Sequence, residues 1–292
     1  MKKLSELNLD ILKRTPLFKD RIIRSQVSLS NSFGACCKKV TLDDNSQYVV
    51  KELVKRSDAY NSILYEGKCL EFMSGKFPNL FPRVLYLKDN LLVMEFIDHN
   101  KIKDEKSEQD LACQLARIHQ VKNDRFGFEF DSPIGGLRQP SSFEKSWVSF
   151  YANKRLNMIF ELINATNPMP DAINRGIERL LKNLKNLIPD TPQPSLIHGD
   201  LWEGNMLFHN GKLAGLIDPG IYYAHYEMEI AYLEWFKYIS KDFYQYYSEY
   251  NQLSKDFMNY SEVYQLYYCL LNVHLWSRDY IRNTAELVRK FN

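Results

Sequence analysis

The chain has 292 residues, enough for one large or two smaller domains. Its 38 Lys and Arg nearly balance 36 Asp and Glu, and a net charge of +2 offers no basis for binding nucleic acid or an anionic membrane surface. A hydrophobic content of 45% with 14% aromatic residues fits a globular protein with a sizeable core, and no apolar run is long enough to read as a transmembrane helix.

The first ten residues are too polar for the apolar region of a signal peptide. The five cysteines, Cys36, Cys37, Cys69, Cys113 and Cys269, match neither a zinc-site spacing nor a disulfide scaffold, so a reducing cytoplasm is expected. Residues 5–12 have a short helical pattern. Residues 24–42 alternate around a central turn, residues 43–46 form the next turn, and residues 47–54 read as a third strand carrying Lys51 among Tyr48, Val49, Val50 and Leu53. The pair Cys36 and Cys37 would point to opposite faces, one buried and one exposed.

The first turn, Asn31, Ser32, Phe33 and Gly34, has two readings. Its backbone N–H groups cover nucleotide phosphates, or it is an ordinary hairpin turn with a single Gly. Lys51 is more informative, because an inward Lys on an apolar strand needs a partner. Glu66, in a helical stretch over 58–73, is the candidate, and the pair would fix the ammonium against phosphates. The competing reading is a solvated Lys and a surface Glu. Pro78 and Pro82 precede strands over 83–87 and 91–97. The order strand, turn, strand, turn, strand-with-Lys resembles a kinase small lobe, and in that plan the backbone at Glu95, Phe96 and Ile97 meets adenine. The boundary then falls near residue 98, giving a nucleotide-binding lobe over 1–98 and a helical lobe with catalytic loop and substrate site over 99–292.

Helices are expected over 105–120, 141–163 and 172–187, with Gly- and Pro-rich loop between the first two. His119, at the end of the first, reads as structural. Pro189, Pro192 and Pro194 then lead to Leu-Ile-His-Gly-Asp-Leu-Trp-Glu-Gly-Asn, residues 196–205. Asp200 and Asn205 stand in the pattern H-x-D-x-x-x-x-N. A strand over 205–208, a turn at Asn210-Gly211 and a strand over 212–217 bring the chain to Asp218. This is the order of a kinase-type catalytic loop and its metal-binding Asp. Phosphoryl transfer needs a carboxylate to take the acceptor's proton, which Asp200 offers. It also needs hard oxygens for Mg²⁺, which Asn205 and Asp218 offer. Taken singly, an Asp or Asn here would merely cap a turn; the spacing and flanking strands favour the chemical reading. His198 is expected to orient the loop. Beyond Asp218, Tyr222, Tyr223, His225 and Glu227 either line a polar substrate site or pack and cap a helix start. Helices over 242–250, 260–273 and 277–291 complete the chain.

With these residues in place, the chain resembles the fructosamine-kinase (ketosamine kinase) family, within the wider aminoglycoside-phosphotransferase and choline-kinase-like group. Residues 196–205, then Ile217, Asp218 and Pro219, then Tyr222, Tyr223, His225 and Glu227 carry the resemblance. Phe126-Gly127-Phe128, Ile134-Gly135, residues 146–151 with Arg155-Leu156, and residues 267–274 add to it. The resemblance implies an α+β, bilobal, protein-kinase-like fold with a small antiparallel-sheet N-lobe and a larger helical C-lobe. It implies ATP with Mg²⁺ and transfer to a sugar hydroxyl of a ketosamine, small or protein-bound. Asp200 would be the base, Asn205 and Asp218 the metal ligands, Lys51 with Glu66 the phosphate-positioning pair, and Trp202 an acceptor contact beside the tyrosines. Tyr226 stands where the family has Arg, and Glu229 where it has Asp; losing the Arg removes a cation and a fork of donors. Alternatives are an aminoglycoside, amino alcohol or other sugar as acceptor, and a nucleotide-binding pseudokinase, favoured only by the Gly-poor turn.

Overall fold

The computed structural model describes residues 12–13, 15–54, 60–88 and 90–291. The short helix expected over 5–12 lies, Leu12 apart, outside the described residues. The chain divides into two compact units. The first takes in Met1–Asp104, Ser132–Arg138 and Gly204–Gly220; the second takes in Glu105–Asp131, Gln139–Glu203 and Ile221–Asn292.

The first unit is built on a five-stranded antiparallel sheet in the order β1-β2-β3-β5-β4. Its strands are β1 (Ile23–Ser32), β2 (Ala35–Leu42), β3 (Gln47–Leu53), β4 (Val84–Lys88) and β5 (Leu91–Glu95). The β1–β2 connection is tighter than expected. Asn31 and Ser32 belong to the strand, and only Phe33 and Gly34 turn, with φ of +52° and +78°. Two successive positive φ values match the twist of a two-residue hairpin, and a bulky residue such as Phe33 adopts one only under strain. One helix, α1 (Ser62–Lys76), is capped by Asn61, whose side chain accepts from the Leu64 N–H at 3.1 Å.

The sheet's outer side is not open. Leu12, Phe18, Cys36, Val40, Leu42, Val50, Leu91 and Val93 form one buried cluster, with Tyr48 packed against it. Cys36 is buried in this cluster and Cys37 on the opposite face beside Lys51, 1% and 6% exposed, which corrects the expectation of one exposed thiol. Leu12 and Phe18, with Leu17 packed beside them, cover the face that alternation alone would have left wet.

The hairpin β9 (Met206–His209) and β10 (Lys212–Leu216) also belongs to this unit. Its turn is the expected Asn210-Gly211, at φ +49° and +79°. Backbone bonds from Leu216 N–H to the Leu80 carbonyl, 2.8 Å, and from Lys101 N–H to the Phe208 carbonyl, 3.0 Å, dock it. Gly215 lets it lie close, since a Cβ there would fall 2.5 Å from Ile97 Cδ1. A small hairpin of β6 (Ser132–Ile134) and β7 (Leu137–Gln139) turns at Gly135 and Gly136, and a Cβ on Gly136 would meet Phe33 at 2.8 Å.

The second unit is mainly helical: α2 (Glu105–His119), α3 (Trp147–Tyr151), α4 (Asn157–Thr166), α5 (Asp171–Asn183), α6 (Glu227–Trp235), α7 (Lys241–Ser248), α8 (Phe257–Leu275) and α9 (Tyr280–Lys290). A short ladder of β8 (Ser195–Ile197) with β11 (Tyr222–Ala224), pairing Tyr222 with Ile197, flanks the predicted catalytic loop. The single helix expected over 141–163 is corrected at both ends of its first half. It starts at Trp147, where Ser146 accepts from the Ser149 N–H at 3.0 Å, and a π-helical turn, Ala152–Leu156, separates α3 from α4. Arg155 sits in that turn, fully buried, bonding the Lys154 and Pro140 carbonyls at 2.7 and 2.9 Å. Tyrosines pack between these helices: Tyr264 Oη takes the Trp147 Nε1 hydrogen at 3.0 Å, and Tyr151 Oη donates to the Val263 carbonyl at 2.6 Å. Among the described residues no helix is long and apolar enough to cross a membrane.

Candidate active site

Within the first unit, β3 turns Lys51 inward opposite Cys37 of β2. Its side chain is 9% exposed, and Nζ lies 2.7 Å from Glu66 Oε1 and 2.5 Å from Asp218 Oδ1. The sequence-predicted partner on α1 is thus in contact, and the strand-end Asp joins it. Burial alone would lower the Lys51 ammonium, but Asp218 and Glu66 outweigh it and hold it charged. Glu66 moves upward, because burial and the neighbouring Asp218 charge exceed the pull of the shared Lys51. Cys37 is pushed up to about 12, chiefly by burial, so its thiol stays protonated at neutral pH.

Asp218 is held at φ +56°, a left-handed conformation, with its side chain 36% exposed. Asn205 is buried, and its carbonyl accepts from the Ile217 N–H at 3.1 Å, tying the two predicted metal ligands into one hairpin. The predicted adenine-contact residues are placed differently from one another. The Glu95 carboxylate is engaged by Arg83, whose Nε lies 2.7 Å away. The Phe96 ring lies under Lys39 Nζ at 3.8 Å, and the Ile97 carbonyl takes a bond from His99 Nδ1 at 2.9 Å. A cleft of about 430 Å³ opens beside Tyr48, Phe81, Arg83, Glu95 and Phe96, and neither Lys51 nor Asp218 lines it.

Within the second unit, Asp200 sits on a loop whose backbone is fixed from below. Glu229 of α6 accepts the Gly199 N–H at 2.7 Å and the His198 N–H at 3.1 Å. His198 is buried, and its Nδ1 accepts from the Asp200 N–H at 3.3 Å, the orienting role expected of it. Glu229 in turn meets His119 Nε2 at 3.0 Å, and His119 Nδ1 lies 2.7 Å from Tyr247 Oη. Asn251 Nδ2 donates to that same hydroxyl at 3.0 Å, leaving its hydrogen free to point at Nδ1. His119 thereby presents an Nε2 hydrogen to Glu229.

Of the predicted acceptor-site residues, three are committed internally. Tyr222 is fully buried under the Arg155 guanidinium, 3.8 Å from its ring centre. His225 Nδ1 bonds Tyr264 Oη at 2.8 Å, and burial drives it down to about 3, so it stays neutral. Glu227 accepts from the Ser254 N–H, at 2.5 Å, and from the Tyr260 hydroxyl. The packing reading therefore fits Tyr222, His225 and Glu227. Tyr223 is half-buried against Phe128, and Trp202 is 40% exposed. Sequence reasoning missed Glu229 and Arg155 as supports. The available signal at Glu229 was a carboxylate inside the apolar run Met228-Glu229-Ile230-Ala231, a place that demands partners.

A fructosamine kinase family model matches residues 34–292. The chain belongs to this family. It is 32% identical over 204 residues to a protein named as a ketoamine kinase from Enterococcus faecium, a match covering 68% of this chain and 71% of the relative. A crystal structure assigned as a fructosamine-3-kinase from Thermobifida fusca superposes with a TM-score of 0.82 at 25% identity, covering 92% of this chain and 93% of that one. An aminoglycoside phosphotransferase solved with streptomycin and ATP shares the fold, with a TM-score of 0.66 at 19% identity over 98% of this chain and 97% of its own. The fold is thus α+β and protein-kinase-like, and this member of the fructosamine kinase family is a phosphotransferase.

Proposed function

We propose that the chain transfers the γ-phosphoryl group of ATP to a sugar hydroxyl of a ketosamine, fructosamine or ribulosamine, free or carried on a protein lysine. The observation that carries this reading is the Lys51 ammonium shared by Glu66 and Asp218. A fixed, charged ammonium beside a carboxylate suits phosphates that must be held next to a metal ion. The family match and the ketoamine-kinase relative support the acceptor, and the ATP-bound phosphotransferase supports the nucleotide.

Asp200 takes the proton of the acceptor hydroxyl as its oxygen bonds to the γ-phosphorus and the bond to the ADP oxygen breaks. Lys51, oriented by Glu66, holds the α- and β-phosphates. Backbone N–H groups at the tip of the β1–β2 hairpin, the strand end Asn31 and Ser32 with the turn residues Phe33 and Gly34, cover the phosphates, and the backbone at Glu95, Phe96 and Ile97 meets adenine. Trp202 and Tyr223 stand on the acceptor side. Mg²⁺ fits the Asn205 amide oxygen and the Asp218 carboxylate, since both are hard donors tied into one hairpin and Asp218 remains accessible. When bound, the ion neutralises charge on the phosphate oxygens. Among the described residues no group of three or more His, Cys, Asp or Glu could hold a metal, and Mg²⁺ at a nucleotide needs only one or two carboxylates. The free cysteines support a cytoplasmic setting.

An acceptor screen tests this reading. Purified protein with ATP and Mg²⁺ should phosphorylate fructosyl-lysine or ribulosyl-lysine in preference to choline and to aminoglycosides. Turnover confined to choline or an aminoglycoside overturns the ketosamine assignment.

A further inference from the structure

The C-terminal end of α6 carries Trp235, Phe236 and Tyr238, aromatic residues that no role above employs. The Phe236 and Tyr238 rings stack, 5.2 Å apart and 10° from parallel. Lys237 between them has φ +56°, and the Tyr238 N–H returns to the Leu233 carbonyl at 3.0 Å, so the helix end itself folds the two rings face to face. Trp235 lies 4.6 Å from Phe236 and 5.9 Å from Tyr280 of α9. Inward, Phe236 meets Tyr232 edge-on at 5.3 Å, and Tyr232 stacks on Tyr268 at 3.9 Å.

The division of labour matters. Tyr232 and Tyr268 are buried and do the packing, whereas Trp235, Phe236, Tyr238 and Tyr280 each keep part of their surface in solvent. Half-wet aromatic faces in a continuous row form a shelf. One link joins this shelf to the loop that bears Asp200, inside the second unit: the Tyr238 hydroxyl is hydrogen-bonded to the Glu203 backbone. Trp202 and Glu203, both exposed, follow Asp200 directly in the chain.

We propose that this shelf, with Glu203 at its edge, is the subsite that binds the acceptor. It rests on the ketosamine reading and names the residues that select for such a molecule. A sugar ring presents an apolar C–H face that lies flat on aromatic rings. The ketosamine nitrogen is a protonated amine, which the Glu203 carboxylate attracts and the aromatic faces also favour. A row of aromatic rings edged by the Glu203 carboxylate suits a cationic sugar.

The test compares acceptor kinetics in Trp235→Ala and Glu203→Gln with the wild-type enzyme, using fructosyl-lysine and, as an uncharged control, fructose. Trp235→Ala should raise KM for fructosyl-lysine at least tenfold, with KM for ATP within twofold. Glu203→Gln should raise KM for fructosyl-lysine severalfold while leaving KM for fructose in place. Unchanged acceptor KM in both variants overturns the shelf. Should Trp235→Ala fail to fold, as thermal unfolding would reveal, Glu203→Gln alone decides, because its side chain is exposed. Failure of the wild-type enzyme to phosphorylate any ketosamine is a different result. It overturns the substrate reading, and the Trp235→Ala comparison, repeated with whichever alcohol is phosphorylated, still decides the shelf.

Discussion

Glu229 accepts the backbone N–H of Gly199 at 2.7 Å across 30 residues of chain. The peptide that leads into Asp200 is therefore positioned by a buried carboxylate on a neighbouring helix. Glu229→Ala leaves the His198 and Gly199 N–H groups and His119 without their acceptor. Each orphaned buried donor costs about 1–3 kcal/mol, so a stability loss of about 3 kcal/mol is expected in denaturant unfolding. Asp200 loses its support as well, and kcat should fall more than tenfold. A folded variant with unchanged kcat would show that the loop holds itself.

The same carboxylate sets a pH limit. Burial would raise Glu229, but the His119 hydrogen bond, the His119 and His198 charges and the Gly199 N–H together hold it below its ordinary 4.5. A carboxyl depressed in the folded state stabilises above its unfolded value, and that contribution disappears as pH falls through the folded one. Stability should therefore be flat in this respect above about 4.5 and decline below it. In Glu229→Gln this part of the acid-side decline should vanish, which urea midpoints measured from pH 3 to 6 would show.

Asp200→Asn and Lys51→Met separate the two halves of the proposed chemistry. Loss of a general base typically costs about 10²- to 10⁴-fold, so Asp200→Asn should lose kcat on that scale while KM for ATP stays nearly constant. Lys51→Met should raise KM for ATP as well, and it leaves the Glu66 and Asp218 carboxylates crowded together without their shared cation. Equal losses of kcat alone in both variants would argue against a phosphate-holding role for Lys51.

Thiol chemistry checks the packing of the sheet. Cys36, Cys37, Cys69 and Cys269 are buried and only Cys113 is partly open. A native-state titration with a disulfide reagent should register one fast thiol, with the other four appearing on unfolding. A fast-reacting Cys36 would mean that the cover over β2 opens readily.

Arg155→Met should cost about 1–3 kcal/mol, since the Pro140 and Lys154 carbonyls lose their donor. Lys in its place should do little better, because it cannot lie flat on Tyr222 while reaching both carbonyls. Michaelis constants should move little if Arg155 serves the fold alone.

What could be read from the chain follows from how local each signal is. Asn210-Gly211 announced its hairpin because its positive φ values are written into two adjacent residues. Lys51 announced a partner because an ammonium on an apolar strand cannot stay unpaired, and Glu66 lies only 15 residues on. The Glu229–His119 support was hidden by a separation of 110 residues, and neither residue has a local pattern that demands the other. The β8–β11 ladder is three residues long on each side, too short to show a period. The break at Ala152–Leu156 was missed because Arg155 stabilises it through carbonyls and an aromatic face supplied by the tertiary fold. Tyr222, His225 and Glu227 stayed open between two readings for the reverse reason. Polar residues beside a reacting centre look like substrate contacts until their internal partners are known.

Asp218 occupies a backbone conformation that Asn accepts more readily. Its charge also crowds Glu66, which moves upward partly on that account. Asp218→Asn would ease both burdens and still offer Lys51 an acceptor. Selection for heat resistance alone would then favour Asn at this position, and the winning enzymes would be the robust and inactive ones. A library of this protein screened by survival of the fold therefore needs a turnover assay in the same round, or it will drift away from the reaction.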